Sequence, residues 1–332
     1  MARKGTDKPR NAVITSFLSK TKDRFHEYNE QLSLEERLEL AASIPGVGGV
    51  EIVHPYEVYD EKRTAQLLSD NGLGVAAVNV NIKAEAEFRH GSLTSPDSAV
   101  RGRAVEMIAR GKEFAAAIGA DKVTVCPLGD GHEFSFQVDY RDHWSRMAEA
   151  VADAADRSPR MPLFLEYKPS ETRGRCILST AARTLALCTE IGDETLGVTL
   201  DFGHSVYGGE NPSEALALLE HAKCPYYIHI NDNNGRWDWD FMVGSHHLIE
   251  YMEFLFYLKK YGYDDYLTSD TSPTRWDIRG TFEANARITE RIWKLIDSIG
   301  MEALQAKIDS GDYLATLRFF EELLLGRDGA TP

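Results

Sequence analysis

Four apolar runs in the second half of the chain each end in residues that bind cations, and that repetition leaves few folds open. Leu196 to Leu200 runs into Asp201-Phe202-Gly203-His204. Phe164-Leu165 leads to Glu166-Tyr167-Lys168-Pro169, Tyr227-Ile228 to His229-Ile230-Asn231-Asp232, and Tyr266-Leu267 to Thr268-Ser269-Asp270. Each reads as a buried strand with an oxygen or nitrogen ligand at its C-terminal tip. Strands apolar on both faces belong to parallel sheets. Parallel strands with chemistry at their C-terminal ends suggest one barrel closed around one site.

The rest of the chain supplies the missing units. Ala12–Phe17, Gly49–Val53, Val75–Ile82 and Val123–Cys126 read as the first four strands. A capping box at Ser33 to Glu36 opens a helix that ends at Pro45-Gly46. Helical spacing recurs through Leu67-Leu68, over Ser98–Ile118, Tyr140–Ala155, Thr180–Glu190, Pro212–Ala222, His247–Tyr261 and Phe282–Ile299. The alternation predicts an α/β fold, a (β/α)8 TIM barrel over residues 11–299. A loose tail, residues 1–10, precedes it, and a C-terminal helical extension, residues 300–332, follows. Leu304, Leu314, Leu317, Phe320 and Leu324 give Met301–Leu325 an apolar face, to pack on the barrel or on a second subunit of a dimer or tetramer. Residues 83–98 are polar and turn-rich, a loop over the barrel mouth. Gly129-Asp130-Gly131-His132 reads as a loop turn first and a substrate contact second.

Composition excludes several classes. With 37 basic and 52 acidic residues the formal charge is −15, which speaks against a nucleic-acid partner. No apolar run reaches the ~20 residues that span a bilayer. The basic N-terminus lacks the apolar core of a signal peptide. Cys126, Cys176, Cys188 and Cys224 show no paired spacing and suit a reducing cytoplasm.

The tip residues define the expected chemistry. Glu166, Asp201, His229 and Asp270, with His204, Asp238 and Asp240, are the candidate ligands. Carboxylates with an imidazole suit Mn²⁺, with Mg²⁺ or Co²⁺ as alternatives, and no organic cofactor is expected. Without a cation the converging carboxylates would repel one another. In Gly235-Arg236-Trp237-Asp238-Trp239-Asp240 the two aspartates alternate with tryptophan and face one side. With His204 they are placed to hold a second cation, Asp201 bridging both. Asn231-Asp232 reads as support for His229. Asp232, Arg236 and Arg173 lie near the mouth as candidate substrate contacts, and His246 and His247 read as capping or surface residues.

Taken together, Glu166-Tyr167-Lys168-Pro169, Asp201-Phe202-Gly203-His204, His229-Ile230-Asn231-Asp232, the Asp238/Asp240 pair and Asp270 resemble the xylose isomerase-like barrel superfamily. The resemblance covers roughly residues 48–290 and is strongest to the L-rhamnose isomerase and xylose isomerase branches. It implies that Glu166, Asp201, His229 and Asp270 hold a fixed metal, and that Asp201, His204, Asp238 and Asp240 hold a mobile one. It further implies that Lys168 polarises an aldose carbonyl and that His54 holds sugar oxygens, so the catalytic set is Lys168, Glu166, Asp270 and His54. One departure is Cys126-Pro127, where relatives carry a tryptophan. Trp237 and Trp239 are the expected substitutes for that apolar wall.

The implied activity is a divalent-metal-dependent sugar isomerase that interconverts an aldose and a ketose between C1 and C2. The alternatives are a single-metal ketose 3-epimerase, or a lyase or dehydratase acting on an oxidised sugar. A non-catalytic sugar- or metal-binding module is the reading from another class.

Overall fold

A computed structural model describes residues 7–326, and only residues 1–6 of the expected tail and 327–332 of the expected extension lie outside the described residues. Eight parallel strands close into a barrel. They are β1 (Arg10–Ile14), β2 (Val47–His54), β3 (Gly74–Val80), β4 (Val123–Val125), β5 (Leu163–Glu166), β6 (Leu196–Asp201), β7 (Tyr226–Ile230) and β8 (Tyr266–Ser269). Each strand pairs with its sequence neighbour, and β1 pairs with both β2 and β8 to close the ring.

The helices return the chain over the outside: α1 (Leu34–Ser43), α2 (Glu61–Asp70), α3 (Ser98–Ile118), α4 (Tyr140–Asp156), α5 (Ala181–Ile191), α6 (Phe202–Gly208), α7 (Pro212–Ala222), α8 (Leu248–Lys260) and α9 (Ile278–Ile299). Their starts follow the chemistry of orphan N–H groups. Ser33 and Glu36 close the expected capping box on α1, while Asp60, Asp97, Asp139, Thr180, Asn211 and Asp277 cap six others. Gly119 ends α3 at φ 85°, a left-handed backbone that favours glycine.

Three local features differ from the sequence expectation. Thr15–Leu18 is a 3₁₀ turn, so β1 is shorter than the apolar run. The short helix α6 begins directly at the tip of β6, capped by Asp201. The terminal segment is two helices, α10 (Met301–Ser310) and α11 (Tyr313–Leu325), broken at Gly311. Leu304 is buried, and Phe319, Phe320 and Leu323 rest on the core. Leu314, Leu317 and Leu324 stay 77%, 63% and 50% exposed.

The barrel interior changes character with height. Its floor is a small cluster of Ala12, Ala76, Ala77, Phe164, Tyr227 and Tyr266, separate from the large core beneath the helices. Above it lies a hydrogen-bonded layer in which the Thr124 and Thr199 hydroxyls meet at 2.7 Å. The charged strand tips form the top.

Two loops on one side of the mouth are locked together by Asp130, which is fully buried. Its carboxylate accepts from the backbone N–H groups of Ser92 and Thr94 at 2.9 and 2.7 Å, and from both hydroxyls at 2.6 Å. The loop read as a turn at Gly129 to His132 is therefore also the anchor for residues 92–95. Asp130→Ala strands those buried donors, and a loss of about 3 kcal/mol is expected. Urea denaturation of the variant against wild type measures it.

Candidate metal centre

Register brings the four ligand-bearing tips to one level. Thr199 pairs with Glu166, Asp201 with His229, and Ile230 with Ser269, so each tip falls beside the next. The N–H of Asp270 donates to Ile230 O at 3.1 Å, which carries the β8 ladder one residue further. Glu166, Asp201, His229 and Asp270 each offer one ligand atom, and these atoms all lie within 4.8 Å of one another. With metal–ligand bonds of about 2.1 Å, neighbouring ligands stand about 3 Å apart and opposed ones about 4.2 Å. The set fits a divalent cation. Nδ1 of His229 lies 3.4 Å from Glu166 Oε1 and 3.6 Å from Asp270 Oδ2, so this nitrogen faces the carboxylates.

The supporting contacts orient these ligands. Asp201 spends Oδ1 on the N–H of His204 at 2.7 Å, and Asn231 Nδ2 donates to its Oδ2 at 3.1 Å. Asn231 Oδ1 in turn accepts from the N–H of Gly203 at 2.7 Å. A Cβ at Gly203 would collide with that amide, so the glycine permits the approach. Asn231 thus steadies Asp201 rather than His229. Asp232 faces away: it is fully buried and binds the N–H groups of His246 and His247 and the His247 ring.

The second expected set stands beside the first in a different state. Asp238 Oδ2 lies 3.0 Å from Lys168 Nζ and 3.1 Å from His204 Nε2. Lys168 is also bound to Glu171 at 2.6 Å, and not to Glu166. Asp240 has a left-handed backbone at φ 50°, and its Oδ1 lies 3.4 Å from Asn231 Nδ2. Asp238 Oδ1 and His204 Nδ1 are buried without a hydrogen-bond partner. Among the described residues, these side chains and Asp201 do not form a second compact ligand set.

Protonation follows the crowding of charge. Burial pushes the Asp270 carboxyl up to about 8, with Glu166 and Asp201 adding to the rise. Burial, Asp238 and Asp270 hold Asp240 well above the usual carboxylate range. Burial would raise Glu166 too, but His229 and His204 outweigh it and bring it down to about 2. Burial would lower His204, yet Asp201 and Asp238 lift it to about 10. His229 is raised against burial by Glu51 and Glu166. The protein alone balances this cluster by taking up protons, and a cation would do so by releasing them.

A cavity of about 320 Å³ opens onto the centre, lined by Glu166, Lys168, His204, Asp238, Asp240 and Asp270. Its apolar wall comes from Ile14, Phe17, Val53, Cys126 and Leu128. Trp237 packs edge-on to Tyr207 and Trp239 is 48% exposed, so neither expected tryptophan supplies that wall. His54 also lies outside the lining, its ring 4.9 Å from Phe114 of α3. The reason is strand alternation: Glu51 and Val53 point inward, so His54 points out. Arg173 lies outside too, in an exposed pair with Glu133, and Arg236 is exposed. Asn79, Asn81 and Lys83 line the cavity and were not singled out from sequence. Their spacing of two along β3 and its extension is the signal that finds them.

Among the described residues, one cluster able to hold a divalent cation lies at the C-terminal mouth of this parallel (β/α)8 barrel, where barrels of this class carry their sites. The chain belongs to the xylose isomerase-like TIM barrel family, whose pattern matches residues 38–295. Xylose isomerase of Thermus thermophilus is 30% identical over 193 residues, 56% of this chain and 50% of that protein. L-ribulose 3-epimerase of Mesorhizobium japonicum is 28% identical over 170 residues, 51% of this chain and 54% of that protein. The chain thus spans about half the length of these curated relatives. The solved structure of a D-tagatose 3-epimerase-like protein superposes with a TM-score of 0.69 at 20% identity, covering 87% of this chain and 98% of that one. Among the described residues no helix is long and apolar enough to cross a membrane, and all four cysteines are buried free thiols.

Cation binding needs ionised Asp270 and neutral His229. Asp270 rises from 3.8 to about 8 in the cation-free fold, so its stabilising contribution is complete below pH 3.8 and is lost as pH rises through 8. The expected result is that Mn²⁺ raises the melting temperature more at pH 8 than at pH 6. An equal shift at both pH values contradicts the ligand assignment.

Proposed function

We propose that the protein is a single-metal ketose 3-epimerase that takes Mn²⁺, with Mg²⁺ or Co²⁺ as substitutes. The observation that carries this reading is the presence of one compact four-ligand set beside an Asp238 already engaged by Lys168 and His204. The 3-epimerase names carried by a curated relative and a solved structure support it over the isomerase reading.

A bound cation would supply Lewis acidity at the C2 carbonyl and C3 hydroxyl oxygens. Glu166 and Asp270, both lining the cavity, are the acid–base pair. One carboxylate takes the C3 proton as the C3–H bond breaks, and the electron pair moves toward the C2 oxygen. The other carboxylate, once it has drawn a proton from solvent through the cavity, returns it to the opposite face of C3, and the first releases its proton to solvent. Lys168, held at 3.0 Å from Asp238, is a donor for a sugar oxygen. We place the reaction in the cytoplasm, which the four free thiols suit.

A two-metal aldose–ketose isomerase is the second reading. Lys168, His204, Asp238 and Asp240 share the cavity, and His204 Nδ1 and Asp238 Oδ1 have no hydrogen-bond partner, the former lying 3.3 Å from Glu166 Oε1. The xylose isomerase relative points the same way.

Mn²⁺-loaded protein incubated with ketoses and aldoses in D₂O separates the two. A 3-epimerase yields the C3 epimer with deuterium at C3, seen by NMR, and about one Mn²⁺ per chain by elemental analysis. Asp270→Asn then lowers turnover by about 10²-fold or more. An aldose product without label at C3, with about two Mn²⁺ per chain, replaces the epimerase by the isomerase.

A further inference from the structure

Directly beneath the four ligands lies a carboxylate that the chemistry above does not use. Glu51 sits in the middle of β2, paired in register with Ile14 and Ala77, and is fully buried. Among the described residues no lysine or arginine forms an ion pair with it. Its oxygens are used by three other groups. Asn79 Nδ2 donates to Oε1 at 2.8 Å, and Tyr227 OH donates to Oε2 at 2.9 Å. Nε2 of His229 lies 2.9 Å from the same Oε2. Tyr227 OH also meets Thr268 Oγ1 at 2.5 Å, so the phenol accepts there while it donates to Glu51.

We propose that Glu51 is the positioning residue of the metal centre: it holds the Nε2 proton of His229 and thereby turns the Nδ1 lone pair toward Glu166 and Asp270. This rests on the cation reading of the site given above. A neutral imidazole carries one proton, on one nitrogen or the other. On Nδ1 that proton would occupy the ligand position, and the Nε2 lone pair would face a carboxylate that can only accept. On Nε2 the proton meets Glu51 and the free pair meets the cation. A carboxylate behind a ligating histidine also raises its basicity and fixes its ring plane. A purely structural acceptor for Asn79 and Tyr227 would need neither a charge nor the contact to His229. The burial of a carboxyl group on the inner face of an otherwise apolar strand is accounted for by the histidine.

Two readouts besides turnover test this. Mn²⁺ affinity is measured by calorimetry for wild type, Glu51→Gln and Glu51→Ala. The His229 tautomer is read from two-bond ¹⁵N–¹H spectra of histidine-labelled, Mg²⁺-loaded protein. Glutamine keeps an oxygen toward Nε2–H, so Glu51→Gln is expected to weaken Mn²⁺ by about tenfold and keep the tautomer. Glu51→Ala loses about 100-fold and gives mixed tautomers. Tyr227→Phe removes one donor to the same carboxylate, keeps the ring that packs edge-on against His229, and is expected to bind Mn²⁺ nearly as wild type. If Glu51→Ala does not fold, the Gln and Phe variants carry the comparison, and equal losses in both overturn the proposal. Wild-type affinity and tautomer in a folded Glu51→Ala or Glu51→Gln also overturn it, while the metal centre stands. A wild-type protein that binds no Mn²⁺ sinks the centre and this role together.

Discussion

The repulsion between carboxylates packed into the top of one barrel governs this molecule. Glu166, Asp201, Asp238, Asp240 and Asp270 converge where little water reaches, with His204, His229 and Lys168 as the nearby positive partners. Like charges at such distances cannot all persist unscreened. The fold answers by sharing protons and by pairing Asp238 with Lys168 and His204. A cation would turn the same cluster from a liability into a bound, organised centre.

The barrel is built to hold that cluster at one height. Its floor is aromatic and alanine-rich, its middle is hydroxyl and amide, and its top is ionic. Tyr227 links two of the layers, its ring in the floor cluster and its hydroxyl bonded to Glu51 and Thr268. Parallel strands in register make this possible, because a side chain's height is set by its position in the strand.

Much of this was legible in the sequence, and the gaps have physical causes. Strand tips announce themselves because an apolar run ends abruptly in ligand-type residues, as at Leu200-Asp201 and Phe164-Leu165-Glu166. Glu51 does not, since a single glutamate inside an apolar strand has no spaced partner to mark its purpose. His54 ends a strand as the ligands do, but strand alternation sends it to the helix side, against Phe114. Asp201 hid a second role: it caps α6 as well as joining the cluster, and a seven-residue helix leaves too short a pattern to read. The tryptophans flanking Asp238 looked like a wall, but the wall comes from Ile14, Phe17 and Cys126, which only the closed barrel brings together. The break at Gly311 shows how one amphipathic stretch can conceal two helices.

Asp130 carries a consequence for how the mouth opens. By clamping the chain at Ser92 and Thr94, it makes the loops after β3 and β4 a single rigid jamb. Across the opening, the segment carrying Asp238 and Asp240 is tied by the reciprocal backbone bonds of Asp232 and Phe241 and by Ser272 N–H to Asp240 O. Between those anchors, Asn234 to Arg236 stands exposed. Solvent therefore meets the mouth first along this exposed rim. Sequence changes in Asn234 to Arg236 can alter the rate of entry and departure while the chemistry behind the jamb stays fixed.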